Sequence, residues 1–250
     1  MSLRIKLGNF LFRNAYGLYK PLYFRFKNKQ DAYEIKLLSQ HIKPGDTVID
    51  IGANIGYYAL LLSKLAGRNG AVHCFEPDPI NFSRLQKTVS GHSNIYLNHK
   101  AMAPQSGSIS VYTSKELNVD HRTYKPEEFE KEIRIDAISL DDYLAGLPNN
   151  KKVDFIKMDI QGFEQEAFRG MVKTFENNPD VKLVSEFWPY GLEKAGGSAS
   201  SYYEQLTQAG FSVYLLENNA LVALTAKRVL SMQTLGKEHY FNIFATRRHV

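Results

Sequence analysis

The chain has 250 residues, enough for one α/β domain with additions and a sizeable buried core, and a formal charge of +5. Its single cysteine, Cys74, excludes a disulfide framework and suits a reducing cytoplasm; no apolar run is long enough to span a bilayer, and no signal-peptide pattern is visible. The charge is lopsided: Arg4, Lys6, Arg13, Lys20, Arg25, Lys27 and Lys29 make residues 1–30 +7 with no acidic residue, leaving residues 31–250 at −2, which argues against a nucleic-acid channel across the body.

The basic segment is also aromatic, with Phe10, Phe12, Tyr16, Tyr19, Tyr23, Phe24 and Phe26 interleaved among the cations. We read residues 1–38 as a helical arm and 39–250 as the main domain. The preferred reading of the arm is a pair of short helices, broken near Pro21, whose aromatic face packs on the domain or on a second subunit of a homo-oligomer. The competing reading is an interfacial segment on an anionic membrane, which would make a cytoplasmic protein peripheral at the inner membrane face.

A helix over Ala32–His41 leads through the turn Lys43-Pro-Gly-Asp46 into Thr47-Val-Ile-Asp-Ile-Gly-Ala-Asn-Ile-Gly-Tyr57. Val48–Ile51 is β-branched and apolar, as in a strand buried on both faces, and Gly52 and Gly56 bracket a tight turn that a ligand can approach closely. Tyr57–Leu65 continues as a helix. A second strand, Ala71–Phe75, ends at Glu76, an offset that suits a bidentate contact to two ribose hydroxyls. The pattern is D-x-G-x-N-x-G rather than the dinucleotide G-x-G-x-x-G, and Asp50 would repel a pyrophosphate. A carboxylate there matches a cationic nucleoside carrying an ammonium and a sulfonium, which points to S-adenosylmethionine.

Beyond Glu76-Pro-Asp-Pro79 a helix runs from about Ile80 to Val89, with Pro79 in its first turn, followed by a strand at Asn94–Asn98. Alternation in Ser108–Tyr112 and Glu132–Asp136 predicts an inserted antiparallel hairpin. Its long polar connection, Thr113–Lys131, should overhang the acceptor site. Ser139 caps a short helix, Val153–Asp159 is the fourth strand, Phe163–Thr174 a helix, Val181–Glu186 the fifth strand, and Ala199–Ala209 a helix. Phe211–Leu216 and Tyr240–Ala245 close the sheet. Strands alternating with helices imply a mostly parallel α/β sheet, and the closing pair an antiparallel edge.

Ligands of open α/β sheets bind beyond the carboxyl ends of the strands, where the chain places Asp50, Glu76, Asp159 and Glu186. Lys157 lies two residues before Asp159, on the same strand face, and a lysine on a buried strand must be paired or functional. In the long connection, His121 is suited to take a proton and Arg122 to clamp an anionic acceptor, or the loop is simply solvated. After Glu186, Trp188 and Tyr190 could stack on a sugar ring or pack against the loop.

The set Asp50-Ile-Gly-Ala-Asn-Ile-Gly56, Phe75-Glu-Pro-Asp-Pro79, Ser139-Leu-Asp-Asp-Tyr143 and Lys157-Met-Asp-Ile-Gln-Gly-Phe-Glu164 resembles the FkbM family of S-adenosylmethionine-dependent methyltransferases over roughly residues 42–246. The resemblance implies a Rossmann-like, seven-stranded class I methyltransferase sheet and methylation of a hydroxyl on a sugar or glycoconjugate, as in polysaccharide biosynthesis. Alternatives are a lipid-linked or polyketide-type hydroxyl, or a non-catalytic nucleotide-binding scaffold. It further implies that Asp50, Gly52, Asn54 and Gly56 hold the methionine end of the cofactor and Glu76 its ribose, with Ala53, Tyr57, Pro77 and Ala101 completing the cofactor set. Asp159 is then the first candidate for the base and Glu186 the second, with Lys157 and His121 beside them. A divalent metal held by Asp159 and Glu186 is the minority alternative. The family often carries Glu where this chain has Gln161.

Overall fold

The computed structural model describes residues 3–113, 121–122, 131–148 and 152–247. Its helices are α1 (Leu3–Asn14), α2 (Tyr16–Gln30), α3 (Ala32–His41), α4 (Tyr57–Ala66), α5 (Pro79–Thr88), α6 (Leu140–Ala145), α7 (Glu164–Arg169), α8 (Val172–Asn177), α9 (Pro189–Lys194), α10 (Ala199–Gln208) and α11 (Ala226–Met232). Its strands are β1 (Thr47–Ile51), β2 (Ala71–Phe75), β3 (Ile95–Asn98), β4 (Ala101–Met102), β5 (Gly107–Thr113), β6 (His121–Arg122), β7 (Lys131–Ile138), β8 (Phe155–Met158), β9 (Lys182–Phe187), β10 (Ser212–Glu217), β11 (Ala220–Ala223) and β12 (Phe241–Thr246).

The main sheet runs β11-β10-β12-β9-β8-β1-β2-β3. Neighbours from β3 to β9 are parallel, while β12 is antiparallel to both β9 and β10. This is the mostly parallel sheet with an antiparallel edge that the alternation predicts. It carries one strand beyond the expected seven: β11 folds back on β10 through Asn218 and Asn219, both at positive φ (50° and 59°). A two-residue turn of that hand matches the twist of a hairpin, and asparagine tolerates the left-handed region better than most residues.

The inserted hairpin is real but larger than expected. β5 and β7 pair antiparallel from Gly107↔Ala137 to Thr113↔Lys131, β4 adds to β7 and β6 to β5, giving a second, four-stranded sheet. Residues 114–120 and 123–130 of the predicted polar connection lie outside the described residues.

Period-two alternation divides the main sheet into two faces. Ile49, Ile51, Ile156, Met158 and Leu183 point to one core with α6, α7, α8, α10 and α11; Val48, Val72, Phe155, Val184 and Phe244 point to the other with α3, α4 and α5. Cys74 is buried in the second core, the inert packing role expected of an apolar thiol.

Two predicted boundaries are corrected. The arm does not break near Pro21: α1 and α2 meet at Ala15, and Pro21 sits inside α2 at an exposed position. The ring removes one backbone donor there, and the rest of the helix is retained by its packing on the body. The helix predicted over Phe163–Thr174 is two helices. Gly170 ends α7 because its backbone presses on the carbonyl oxygen of Ala103, where a Cβ would collide. Among the described residues, no helix is long and apolar enough to cross a membrane.

Candidate functional site

The turn after β1 is built by its two glycines and one asparagine. Gly52 (φ +83°), Asn54 (φ +51°) and Gly56 (φ +91°) all adopt the left-handed region. Gly52 and Ala53 donate their N–H groups to the carbonyl of Phe75 (2.9 and 3.0 Å), tying the turn to the end of β2. A Cβ on Gly52 would strike the carbonyl oxygen of Asp159, so β1 and β8 approach at a point only glycine fits. Glu76 then locks the turn from the other side. Its Oε2 accepts from Asn54 N–H (2.7 Å) and its Oε1 from Asp78 N–H (2.9 Å). Each oxygen retains a lone pair for a further donor.

Alternation places Asp50 and Lys157 on the face that carries Val48 and Phe155, directly opposite each other across the β1–β8 ladder. That face meets α3 and α4, and a buried ionic cluster results. Lys157, 3% exposed, has its Nζ 3.7 Å from Asp159 Oδ2 and 4.2 Å from the Tyr58 ring centre. Burial works against its charge, but Asp159, Asp50 and Glu34 outweigh it and hold the lysine pKa above its ordinary value. Asp50 is fully covered beneath the turn, and its Oδ1 has no hydrogen-bond partner among the described residues.

Glu34 is a member of this cluster that the sequence reading passed over. It is buried, accepts from Asn242 Nδ2 (2.6 Å), and has its pKa raised by burial against the pull of Lys157. The signal was present: Glu34 shares the i, i+3, i+4 face of α3 with Leu37 and Leu38, so a charge sits in an apolar stripe.

Beyond the strand ends, Asp159 and Glu186 are brought together as predicted for adjacent strands. Gln161 links them: its Nε2 lies 3.3 Å from Asp159 Oδ1 and 3.3 Å from Glu186 Oε2. Gln161 holds φ +57° to aim its amide this way, and the following Gly162 packs backbone to backbone on Gly191. The Asp159 side chain is 40% exposed, far more open than Asp50 or Lys157 behind it. Among the described residues no group of three or more His, Cys, Asp or Glu side chains is placed to hold a metal ion.

The arm forms a wall of this site. Tyr57 and Tyr58, at the start of α4, donate their hydroxyls to Asn28 Oδ1 (2.8 Å) and Asp31 Oδ2 (2.7 Å), and Lys27 pairs with Asp31. Tyr23 and Phe24 pack on the α3–α4 core. The Tyr23 hydroxyl is pushed up by burial and then by the charges of Asp159 and Asp31, with Lys157 opposing. Farther out, the Arg84 guanidinium lies 3.5 Å from the Phe12 ring centre and donates to the Phe12 carbonyl (2.7 Å), clamping α1 to α5.

The other expected residues fare differently. Ala53 belongs to the turn and Tyr57 opens α4, Pro77 follows Glu76 and accepts at its carbonyl from His99, and Ala101 is buried on β4. Trp188 is 6% exposed, its Nε1 donates to the Lys237 carbonyl (3.0 Å) and Gly191 lies against its ring, while most of the loop expected to pack on it lies outside the described residues. Tyr190 is half-buried, with its ring centre 5.6 Å from that of Trp188. His121 and Arg122 form β6, but their side chains lie outside the described residues. Asn81, in the first turn of α5, is 1% exposed with neither amide atom hydrogen-bonded among the described residues. A concavity of about 540 Å³ lined by Asp141, Lys152, Thr174 and Asn178 lies at the opposite, amino ends of β8 and β9, where Asp141 serves to cap α8.

Burial makes these carboxylates a pH sensor of stability. It pushes Asp50 up to about 6 and Glu76 up to about 8, the latter against its two amide hydrogen bonds, and it also raises Glu164, which is fully buried. Groups whose folded pKa exceeds the unfolded value bind more protons when folded. Their contribution is complete below the unfolded carboxylate range and is lost as pH rises through the folded values. Ligand-free protein should therefore melt at a lower temperature at pH 8 than at pH 5, each group adding at most about 1.4 kcal/mol per pH unit in its window. Calorimetric melts across this range test it, and Glu76→Gln should flatten the slope; a midpoint rising with pH would refute the assignment.

The geometry fits a cationic nucleoside. Among the described residues, the left-handed turn after β1, the Asp50 oxygen without a hydrogen-bond partner and the spare lone pairs of Glu76 lie together at the ends of β1 and β2, and Asn81 with its unbonded amide lies in the first turn of the helix that follows. Comparison with known proteins agrees. The chain is 28% identical over 153 residues to the hexuronic acid methyltransferase AglP of Haloferax volcanii, and 25% identical over 149 residues to Methyltransferase 1 of Beauveria bassiana. These matches take in 60% and 51% of this chain and span 59% of each relative's length, so the chain covers under two thirds of either. Among solved structures, a Streptococcus mutans protein in complex with SAH superposes with a TM-score of 0.51 at 10% identity, covering 87% of this chain and 96% of that one. An rRNA methylase from Streptococcus thermophilus gives 0.50 at 12% identity, covering 87% and 95%. Such likeness fixes the fold. The methyltransferase FkbM domain matches residues 50–213, more than half of the chain, and the protein belongs to that family.

Proposed function

We propose that this protein transfers a methyl group from S-adenosylmethionine to a hydroxyl of a sugar or glycoconjugate. The observation that carries the reading is the Asp159–Gln161–Glu186 cluster, open to solvent beside the glycine turn and backed by the buried Lys157. The similarity to a protein named as a hexuronic acid methyltransferase supports a sugar acceptor.

When bound, S-adenosylmethionine supplies a sulfonium-activated methyl group to the attacking oxygen. Gly52, Ala53, Asn54 and Gly56 would cradle it, Glu76 would accept from the ribose hydroxyls, and Asp50 would offset its positive charge from beneath the turn. Asp159 takes or orients the proton of the acceptor hydroxyl as the oxygen attacks, a contribution of about 10²–10⁴ where the hydroxyl is a weak acid. Lys157 pairs with Asp159 and holds it in place, and Gln161 keeps Asp159 and Glu186 side by side without adding a third charge. Tyr23 and Lys27 shield the site from water along the arm.

Isothermal titration should show binding of both S-adenosylmethionine and S-adenosylhomocysteine. Labelled-methyl transfer to a panel of nucleotide sugars, glycans, lipid-linked sugars and RNA should label a sugar-bearing acceptor. Absence of binding by either nucleoside would defeat the methyltransferase reading, and labelling confined to RNA would defeat the acceptor assignment.

A further inference from the structure

We propose that the outer face of the N-terminal arm docks on an anionic lipid bilayer. Along α2, Leu18 (65% exposed), Leu22 (58%) and Phe26 (60%) recur every fourth residue and form one apolar stripe on the side turned away from the body. Exposed Arg25 and Lys29 flank that stripe. On α1, Leu7 (56%) and Phe10 (60%) are likewise exposed, beside Arg13. Half of the ten large hydrophobic side chains exposed among the described residues fall in these two helices.

The inner faces of the same helices are already occupied. Phe12 is buried under Arg84, Tyr23 and Phe24 pack on the domain, and Asn28 is bound by the Tyr57 hydroxyl. The outward stripe is therefore not the packing face of the arm, and its apolar residues stay exposed among the described residues. Exposed patches of that kind mark interaction surfaces.

Charge selects the occupant. Residues 1–30 carry seven cations and no acidic residue. A second copy of this chain seated on the stripe would set two +7 segments against each other, which like-charge repulsion opposes. An anionic lipid surface attracts the cations while its acyl boundary receives Leu18, Leu22 and Phe26, the arrangement of an interfacial helix lying in the membrane plane. Docking in this way would hold the catalytic end, walled by the inner face of α2, about one helix diameter, roughly 10 Å, from the lipid surface. An acceptor carried on a lipid would then be presented to Asp159 without leaving the bilayer. The docking itself is independent of the methyl-transfer reading, since it needs neither cofactor nor turnover.

The test is co-sedimentation of the full chain with vesicles of phosphatidylcholine alone and of phosphatidylcholine mixed with phosphatidylglycerol. The full chain should partition at least about tenfold more strongly onto the anionic vesicles, and the difference should shrink as salt is added. The triple variant Leu18→Gln/Leu22→Gln/Phe26→Gln should lose about tenfold or more of that partitioning while keeping its melting temperature and its S-adenosylmethionine affinity. Arg25→Gln/Lys29→Gln should weaken binding to anionic vesicles only. Equal pelleting of the full chain and the triple variant would overturn the proposal. So would a concentration-dependent dimer, seen by light scattering, that the triple variant abolishes.

Discussion

Gly52→Ala is expected to abolish measurable S-adenosylmethionine binding and to lower the melting temperature by roughly 5–10 °C. Two costs combine. The left-handed backbone at φ +83° disfavours any residue with a Cβ by about 1–2 kcal/mol. The larger cost is steric, because the new methyl group would fall onto the carbonyl oxygen of Asp159, a backbone atom with no rotamer to move into. Relief requires β1 and β8 to part at their carboxyl ends, and that displaces the two N–H bonds from Gly52 and Ala53 to Phe75. The same movement shifts Asp159 relative to the turn, so cofactor cradle and catalytic end fail together. Gly107→Ala is the control: its Cβ position is open and its backbone is not left-handed, so the melting temperature should barely change. Calorimetry with S-adenosylmethionine and thermal melts of both variants decide it. Binding of Gly52→Ala within a few-fold of the unmodified chain would show that the turn is not the cofactor cradle.

Most of the scaffold could be read because its signals are local. β1 and β2 are short apolar runs and α3 carries a period-3.6 pattern, each bounded by Gly, Pro or Asp, and α6 and α5 start at Ser139 and Asp78, whose side chains accept from the N–H three residues on. What escaped depends on contacts distant in sequence. α7 stops at Gly170 because Ala103, far upstream, lies against it. For Trp188, which could equally stack on a sugar or pack, the fold supplies Gly191 against the ring and the Lys237 carbonyl on its N–H. Pro21 read as a break, yet packing of the aromatic face carries α2 through it. At the site, Asp50, Glu76, Lys157, Asp159 and Glu186 were legible because strand ends are where α/β sheets bind ligands. The roles of Glu34, Tyr23 and Gln161 were not. Each acts across an interface between elements that no spacing rule joins, and Gln161 needed its positive φ to reach both carboxylates.

Asp159→Asn should reduce kcat/KM for the true acceptor by about 10²–10⁴ while leaving S-adenosylmethionine affinity within about threefold. The substitution keeps the shape of the side chain and its place beside Gln161, so the contrast isolates charge and basicity. Lys157 would lose one of three carboxylates, but Asp50 and Glu34 remain on the buried side of its ammonium. The pair being lost is long, at 3.7 Å, and its acidic partner is 40% exposed, so the stability change should stay within about 1 kcal/mol. Lys157→Met is the opposite case. It strips the lysine from beside a covered Asp50 and Glu34, leaving only Lys27 to act on Glu34 among the described residues, and an uncompensated buried charge costs about 3–5 kcal/mol, so that variant should fail in folding before it fails in chemistry. The two variants therefore separate a catalytic carboxylate from a structural ammonium: one should melt normally and turn over poorly, the other should melt early. Normal turnover by Asp159→Asn would transfer the proton-accepting role to Glu186, the other carboxylate that Gln161 holds at the strand ends.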